Sequence, residues 1–519
     1  MTLQRAAIFA ALLFFWQVSA AAAQDVTLTS PDGAVEISGS LLGFDGEFYR
    51  VDTVFGELTV DGSGVICDGP GCPNLAAYVA EVGFSGSSTM AEVLLPALVE
   101  GFSLRNGYTT RREPLEGDDF VYHLIEPAQD KVVGRFYFRV SNTDEGFADL
   151  LANEADIVMA LREIRPSEET RAREAGMGDM TAANRSRVLA LDAMVPVVSP
   201  TNPVRQISTP DLARVFSGDI RNWSDLGGPD APIALHLPAA GFGLSQAAED
   251  RLLRPADLTL SDTVARHPRS SDLARAVLAD PFAIGLASHA ETGAARVLTL
   301  AGSCGFSIEA TRSTIKTEDY PLNSPMFLYT PARRLPKLAR AFLGYSRSPA
   351  AQIVIRRTGF VDQVAEEIPL NAQGARLANA ITSAGPEIEL SQLRAMIETL
   401  RPYARLTISF RFETGSSRLD AQSRSNVAQL ARGIEAGLYD TRALMFVGFS
   451  DGEGPATGNL RIARARARAV RDAVLDVVET GGDLRVAIDT AAFGEALPMA
   501  CDTSDWGRQT NRRVEVWIK

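Results

Sequence analysis

Residues 448–470, GFSDGEGPATGNLRIARARARAV, end a strand, turn through a Gly-rich loop that carries a carboxylate, and open a helix that carries guanidinium groups. Asp451 and Arg466 stand fifteen residues apart and border the same loop. An anion beside a cation suits a zwitterionic ligand, because the aspartate accepts from an ammonium while the arginine forks onto a carboxylate. Along the helix, Leu460, Ala463, Ala467, Val470, Val474 and Val477 repeat at 3-4-3-4-3 spacing and make the buried stripe, with Arg466 at its border. Arg461, Arg464, Arg468 and Arg471 fall on the solvated face. By themselves, Arg466 reads equally as one more solvated arginine, and Asp451 as a turn residue bonding its local backbone.

The order Asn459, Ile462, Ala463, Arg466, Ala467, Val470 resembles the OmpA-like C-terminal domain, with its TD-type loop followed by N-x-x-L-S-x-x-R-A-x-x-V. Phe412, the run Ser417 to Leu419, Gly448, Gly494 and the ending NRRVE at 511–515 match as well. Ser450 stands where threonine is usual and Ala463 where serine is usual, and neither change removes a charge. The resemblance implies peptidoglycan binding, with Asp451, Arg466 and Asn459 at the diaminopimelate of the stem peptide.

The first 23 residues carry Arg5, the apolar run AAIFAALLFFW and small residues in VSAAAA. That is the layout of a secretory signal peptide, cleaved near Ala23 or Gln24. No cysteine lies at the junction, so lipid attachment is not expected. No later apolar stretch is long enough for a membrane-spanning helix. The expected location is the periplasm of a Gram-negative cell, at the peptidoglycan and the outer membrane. With 64 acidic against 51 basic residues, the net charge of −13 argues against nucleic acid and against adsorption to anionic lipid.

A chain of 519 residues exceeds a single core. The expected fold is multidomain α/β and α+β: a signal peptide (1–23), a small β-meander (24–74), a two-lobed α/β clamp (75–365), a connector (366–400) and the OmpA-like α+β domain (401–519). In the meander, Val35, Ile37, Tyr49, Val51, Leu58 and Val60 alternate around Asp-Gly turns at Asp32, Asp45 and Asp61. Such a short segment is expected to pack on its neighbour. Four cysteines in an oxidising compartment allow three pairings, of which Cys67–Cys72 in CDGPGC closes a tight turn; the pairing of Cys304 and Cys501 stays open.

The middle of the chain alternates strand-like runs, at 80–84, 155–159, 188–198, 233–237 and 282–287, with helical patterns, which predicts largely parallel sheets. The segments GFSGSSTMAEVLLPALVEGF (83–102), ADIVMALREI (155–164) and ALDAMVPVVSPTNPVRQISTPDLARVFSGDIRNWSDLGG (190–228) resemble phosphate-binding, PstS-like periplasmic proteins. FAIGLAS (282–288), YPLNSPMFLYT (320–330) and SPAAQIVIRRTGF (348–360) continue the family's order. The family fold is a clamp that closes on an anion at its hinge. Ser88 and Thr89 supply hydroxyls, and the amides of Thr89 and Met90 open a helix whose positive end suits an anion.

Elsewhere the anion chemistry is depleted. The family's R-x-x-G-S-G-T corresponds to PAAGFGL (238–244), which puts Pro238, Phe242 and Leu244 in its polar positions, and the polar end of the ADIAMAS strand falls on Leu161. Thr143, in NTDEG, is left as a candidate hydroxyl, and Arg162 and His236 as candidate compensating cations. Each unpaired buried polar group costs about 1–3 kcal/mol, so these losses predict that tight phosphate binding is gone.

No paired carboxylates, nucleophile elbow or metal-ligand set can be assembled, so neither an enzyme nor a cofactor is expected. The expected protein attaches non-covalently to peptidoglycan and displays the clamp as sensor, scavenger or scaffold, with a small anionic solute as its ligand. An anion receptor of an ABC importer and a purely structural envelope protein with an empty clamp are the alternatives.

Overall fold

In the computed structural model the described residues are 25–182, 184–302, 304–385, 387–413, 416, 418–479 and 484–519. The signal peptide and Ser417 lie outside them. Among the described residues no helix is long and apolar enough to cross a membrane.

The N-terminal strands form a five-stranded antiparallel sheet in the order Gly56–Asp61, Phe48–Thr53, Glu36–Phe44, Asp25–Thr29, Ile66–Asp68. Val26, Leu28, Tyr49 and Val51 make its small core, with Ile37 and Val60 packed against them and a Cys67–Cys72 disulfide beside them. Val35 and Leu58, expected on the same face, are exposed instead. The small core is supplemented by charge at the neighbouring unit. Arg340 donates to Glu47 at 2.8 Å, and Arg334 pairs with Asp45 and lies 4.0 Å over the Phe48 ring.

The middle unit is built on an eleven-stranded sheet. Each of the five apolar runs overlaps a strand: Ala80–Ser87, Ile157–Ala160, Ser186–Val198, Ala234–Pro238 and Ala283–Ser288. The sheet is mixed rather than largely parallel. Ser186–Val198 runs antiparallel to Asn323–Tyr329 through its first half and antiparallel to Ala283–Ser288 through its second, so one long strand serves both lobes. Phe120–Glu126 adds antiparallel pairings on both its sides. Ser208 caps the helix Thr209–Ser217 by accepting from the Asp211 amide, with Pro210 in the first turn, as its sequence indicates.

The C-terminal sheet has the order Glu367–Pro369, Ala404–Arg411, Arg513–Ile518, Ala443–Phe449, Ala487–Gly494. Helices Ala421–Glu435 and Ala456–Val477 supply one core on it. In the second helix Ala463, Ala467, Val470 and Val474 are fully buried, while Val477, at the helix end, is exposed. Residues 366–400, expected as a connector, carry the edge strand and two helices, Gly374–Thr382 and Leu390–Leu400. Ala380, Leu393, Met396 and Leu400 pack with Met445, Val447, Phe449 and Trp517 into a second core. The physical reason is the sheet itself, which is apolar on both faces and needs a cover on each.

Candidate functional site

The sequence points to two places, the hinge of the two-lobed unit and the Gly-rich loop of the C-terminal unit. At the hinge, residues 88–105 are continuous helix with a π-helical turn at Met90–Leu94. Ser88 is buried, Thr89 is half-buried and makes no capping bond, and the Met90 side chain sits in the core, so only its amide could serve an anion. Across from them comes the segment 238–244. A β-carbon added at Gly243 would lie 3.1 Å from Leu161 Cδ1 and 3.2 Å from Ser87 Oγ. The lobes therefore meet on a leucine methyl, and the buried Ser87 hydroxyl has no hydrogen-bond partner among the described residues.

The candidate compensating groups are engaged elsewhere. Thr143 Oγ1 accepts the Leu161 amide at 3.1 Å. Arg162 is held by Glu168 at 2.7 and 2.8 Å and by Asp144, with Asp250 at 3.8 Å, so its charge is already matched by carboxylates. His236 Nδ1 lies 2.8 Å from His267 Nε2, and burial holds both imidazoles below the ordinary histidine range. A neutral imidazole is a poor counterion. Arg266 donates to Pro238 O at 3.1 Å and to Ser245 Oγ at 3.0 Å beside the segment 238–244, and a further arginine, Arg251, from the turn Glu249–Leu253, donates to Leu161 O at 3.0 Å and to Asn323 O. Its guanidinium thus links the turn Glu249–Leu253 to carbonyls beside the paired strands Ile157–Ala160 and Asn323–Tyr329 across the hinge. Sequence reasoning missed it, because nothing near 251 marks it from other helical arginines.

The Gly-rich loop has a different character. Asp451 is nearly buried and accepts from Arg512 at 2.7 Å, so the partner of the aspartate is Arg512 and not Arg466. Arg466 lies 5.1 Å over the Phe412 ring, and among the described residues no carboxylate forms an ion pair with it. Burial and the neighbouring Arg512 push its guanidinium below the ordinary arginine range, with Asp451 acting the other way. Asn459 Nδ2 donates to Glu495 at 2.5 Å, and the Gly452 amide donates to Asp502 at 2.8 Å. The loop is thus bordered by the guanidinium groups of Arg466, Arg508 and Arg512 and by carboxylates that include Asp451, Glu453, Glu495 and Asp502. Such a border can receive both ends of a zwitterion.

Two family models match the chain. The model described as a PBP superfamily domain matches residues 74–350, more than half of the sequence. The chain belongs to the PBP superfamily. The OmpA family model matches residues 411–512, so an OmpA domain follows the PBP-like one. Among curated relatives, protein SphX of Synechococcus elongatus is 26% identical over 238 residues, covering 43% of this chain and 67% of its own length. The phosphate-binding protein PstS of Borreliella burgdorferi is 23% identical, covering 34% of this chain and 65% of its own. The chain thus spans about two thirds of the length of these relatives. Outer membrane porin F of Pseudomonas aeruginosa is 25% identical over 115 residues, 22% of this chain and 31% of its own. Among solved structures, an ABC-type phosphate transport receptor from Vibrio cholerae aligns at 19% identity and a TM-score of 0.42, covering 54% of this chain and 99% of that one.

The OmpA domain holds both lobes of the PBP-like domain. Arg405 is 2% exposed in its side chain and grips Asp319 with both Nη atoms, at 2.6 and 3.0 Å. Arg405 Nε lies 3.4 Å from Glu515, which also accepts from Arg376 at 2.5 Å and from Arg513 at 2.7 Å. The NRRVE ending therefore builds a buried charge network into which the PBP-like domain inserts Asp319. Cys304 and Cys501 form a disulfide between the same two domains. The Ala421 amide donates to Glu163 at 2.7 Å on one lobe, and Trp506 Nε1 donates to Arg251 O at 2.9 Å on the other.

Glu163 makes this contact sensitive to pH. Burial, with Asp420 adding to it, raises its carboxyl to about 7 from 4.5. A folded value above the unfolded one contributes stability that is complete below about pH 4.5 and lost as the pH rises through about 7. The Tm of the wild type relative to Glu163→Gln is expected to fall between pH 5 and pH 8. A difference that stays constant across that range would contradict the assignment.

Proposed function

We propose that the protein is a periplasmic, peptidoglycan-attached component of the cell envelope. Its OmpA domain takes the stem peptide through Asp451, Arg466 and Asn459, and its PBP-like domain acts as a fixed sensor or scaffold rather than as a carrier of phosphate. The observation that supports this reading most is the attachment of both lobes to the OmpA domain. A solute receptor works by closing one lobe on the other. Here Asp319, Glu163 and Arg251, and the Cys304–Cys501 bridge, oppose such motion, and Leu161 lies where the lobes meet.

Equilibrium dialysis of labelled phosphate against the full chain tests the second half of the proposal. No saturable binding at micromolar phosphate is expected, because most of the family's hydroxyls are replaced at the hinge and Leu161 lies where the lobes meet. Saturable micromolar binding would restore the reading as an anion receptor of an ABC importer, which the names of the SphX and PstS relatives favour.

A further inference from the structure

A cavity of about 320 Å³ lies between the PBP-like and OmpA domains. We infer that it binds a small organic cation, a molecule carrying ammonium groups on a short apolar stem.

The wall is rich in acid: Glu163, Asp250, Glu318, Asp420 and Asp505 line it against only Arg251 and Arg411. Both guanidinium groups are occupied by backbone carbonyls. Arg251 donates to Leu161 O and Asn323 O, and Arg411 donates to Glu318 O at 2.6 Å and Thr510 O at 2.5 Å. Asp250 is neutralised from outside by Arg165 and Arg254, each at 3.0 Å, and Asp505 by Arg508. Glu163, Glu318 and Asp420 remain. Among the described residues no guanidinium comes closer to them than Arg424 at 3.8 Å from Glu163 and Arg411 at 3.9 Å from Glu318. Burial, followed by the charge of Asp420, raises the carboxyls of both glutamates, so Asp420 repels each of them across the interface.

Two other lining residues point to a partner independently of the acids. Tyr320 is fully buried and Asn323 is 7% exposed, and among the described residues the Tyr320 hydroxyl and Asn323 Oδ1 have no hydrogen-bond partner. Orphaned buried polar atoms are uncommon in native folds and cost stability unless something pairs with them. A carbonyl oxygen and carboxylates together ask for N–H donors.

The acids do not converge on one point. Among the described residues, no group of acids or histidines could hold a metal ion. Negative charge spread around a wall that also presents Phe327 and Trp506 suits a polyatomic cation, whose ammonium ends reach separate acceptors while its stem covers the rings. The volume, at the lower end of ligand pockets, fits a molecule of diamine size. Because both domains supply acceptors, such a ligand would bind only the assembled pair and would strengthen it.

The test is calorimetric titration of the full chain with putrescine at pH 8 and low salt. One-site saturable binding is expected, weakened at least about tenfold in Glu163→Gln/Glu318→Gln, as loss of charge-assisted hydrogen bonds requires. Asp451→Ala should bind putrescine like the wild type, which separates this cavity from the proposed wall site. Magnesium chloride should give no saturable signal. The inference is overturned by absence of putrescine binding to the wild type, by equal affinity in the double variant, or by magnesium binding as tightly as putrescine. If the double variant is unfolded by circular dichroism, Glu163→Gln and Asp420→Asn carry the same test singly, since both side chains are only half-buried.

Discussion

Asp319→Ala is expected to lower the unfolding free energy by about 3–5 kcal/mol, the range found when one member of a buried ion pair is removed. The cause is what the change leaves behind. Arg405 keeps Ser409 at 3.0 Å and Glu515 at 3.4 Å, but both Nη atoms lose their carboxylate inside a site closed to water. The loss should appear in urea denaturation as a lower midpoint, and the PBP-like and OmpA domains should then unfold in separate transitions. Replacing the pair together, Asp319→Leu with Arg405→Met, should cost much less, because no charge is stranded. A change below about 1 kcal/mol for Asp319→Ala would place the pair among those of surface strength and remove it as the join between the domains.

Asp451→Ala and Arg466→Ala are each expected to reduce co-sedimentation with diaminopimelate-type peptidoglycan at least about tenfold, since a charge-assisted hydrogen bond contributes about 1.5–3 kcal/mol. The two variants should differ in kind. Removing Asp451 also releases Arg512, which leaves the guanidinium groups of Arg466 and Arg512 bordering one loop, so binding should become more sensitive to salt. Removing Arg466 leaves the Asp451–Arg512 pair intact. Arg464→Ala, on the exposed face of the same helix, should bind like the wild type. If both site variants co-sediment as the wild type does, the wall reading fails, while the phosphate and putrescine experiments stand unaffected.

The division of the chain into a PBP-like and an OmpA part was legible because each rests on short patterns. The 3-4 spacing in 460–477, the Ser208 cap with Pro210, and the five apolar runs are statements about neighbours in the chain, and local geometry obeys them. Asp451 and Arg466 stand out as candidates in the same way. Their mutual arrangement was not, because Arg512, sixty-one residues from Asp451, takes the aspartate. Residues 366–400 look like a connector by their prolines and glycines; only the apolar second face of the C-terminal sheet makes their two helices a cover.

By itself, then, the sequence determined the two family resemblances, the five strand-forming apolar runs and the amphipathic stripe of the helix Ala456–Val477, since each is written in contiguous residues. The tertiary structure alone decided how the parts are joined. Arg405 meets Asp319 across eighty-six residues, Cys304 meets Cys501 across 197, and the Ala421 amide meets Glu163 across 258. No local pattern selects such partners. Burial does, by requiring that every charge and polar group removed from water find a counterpart wherever the chain brings one.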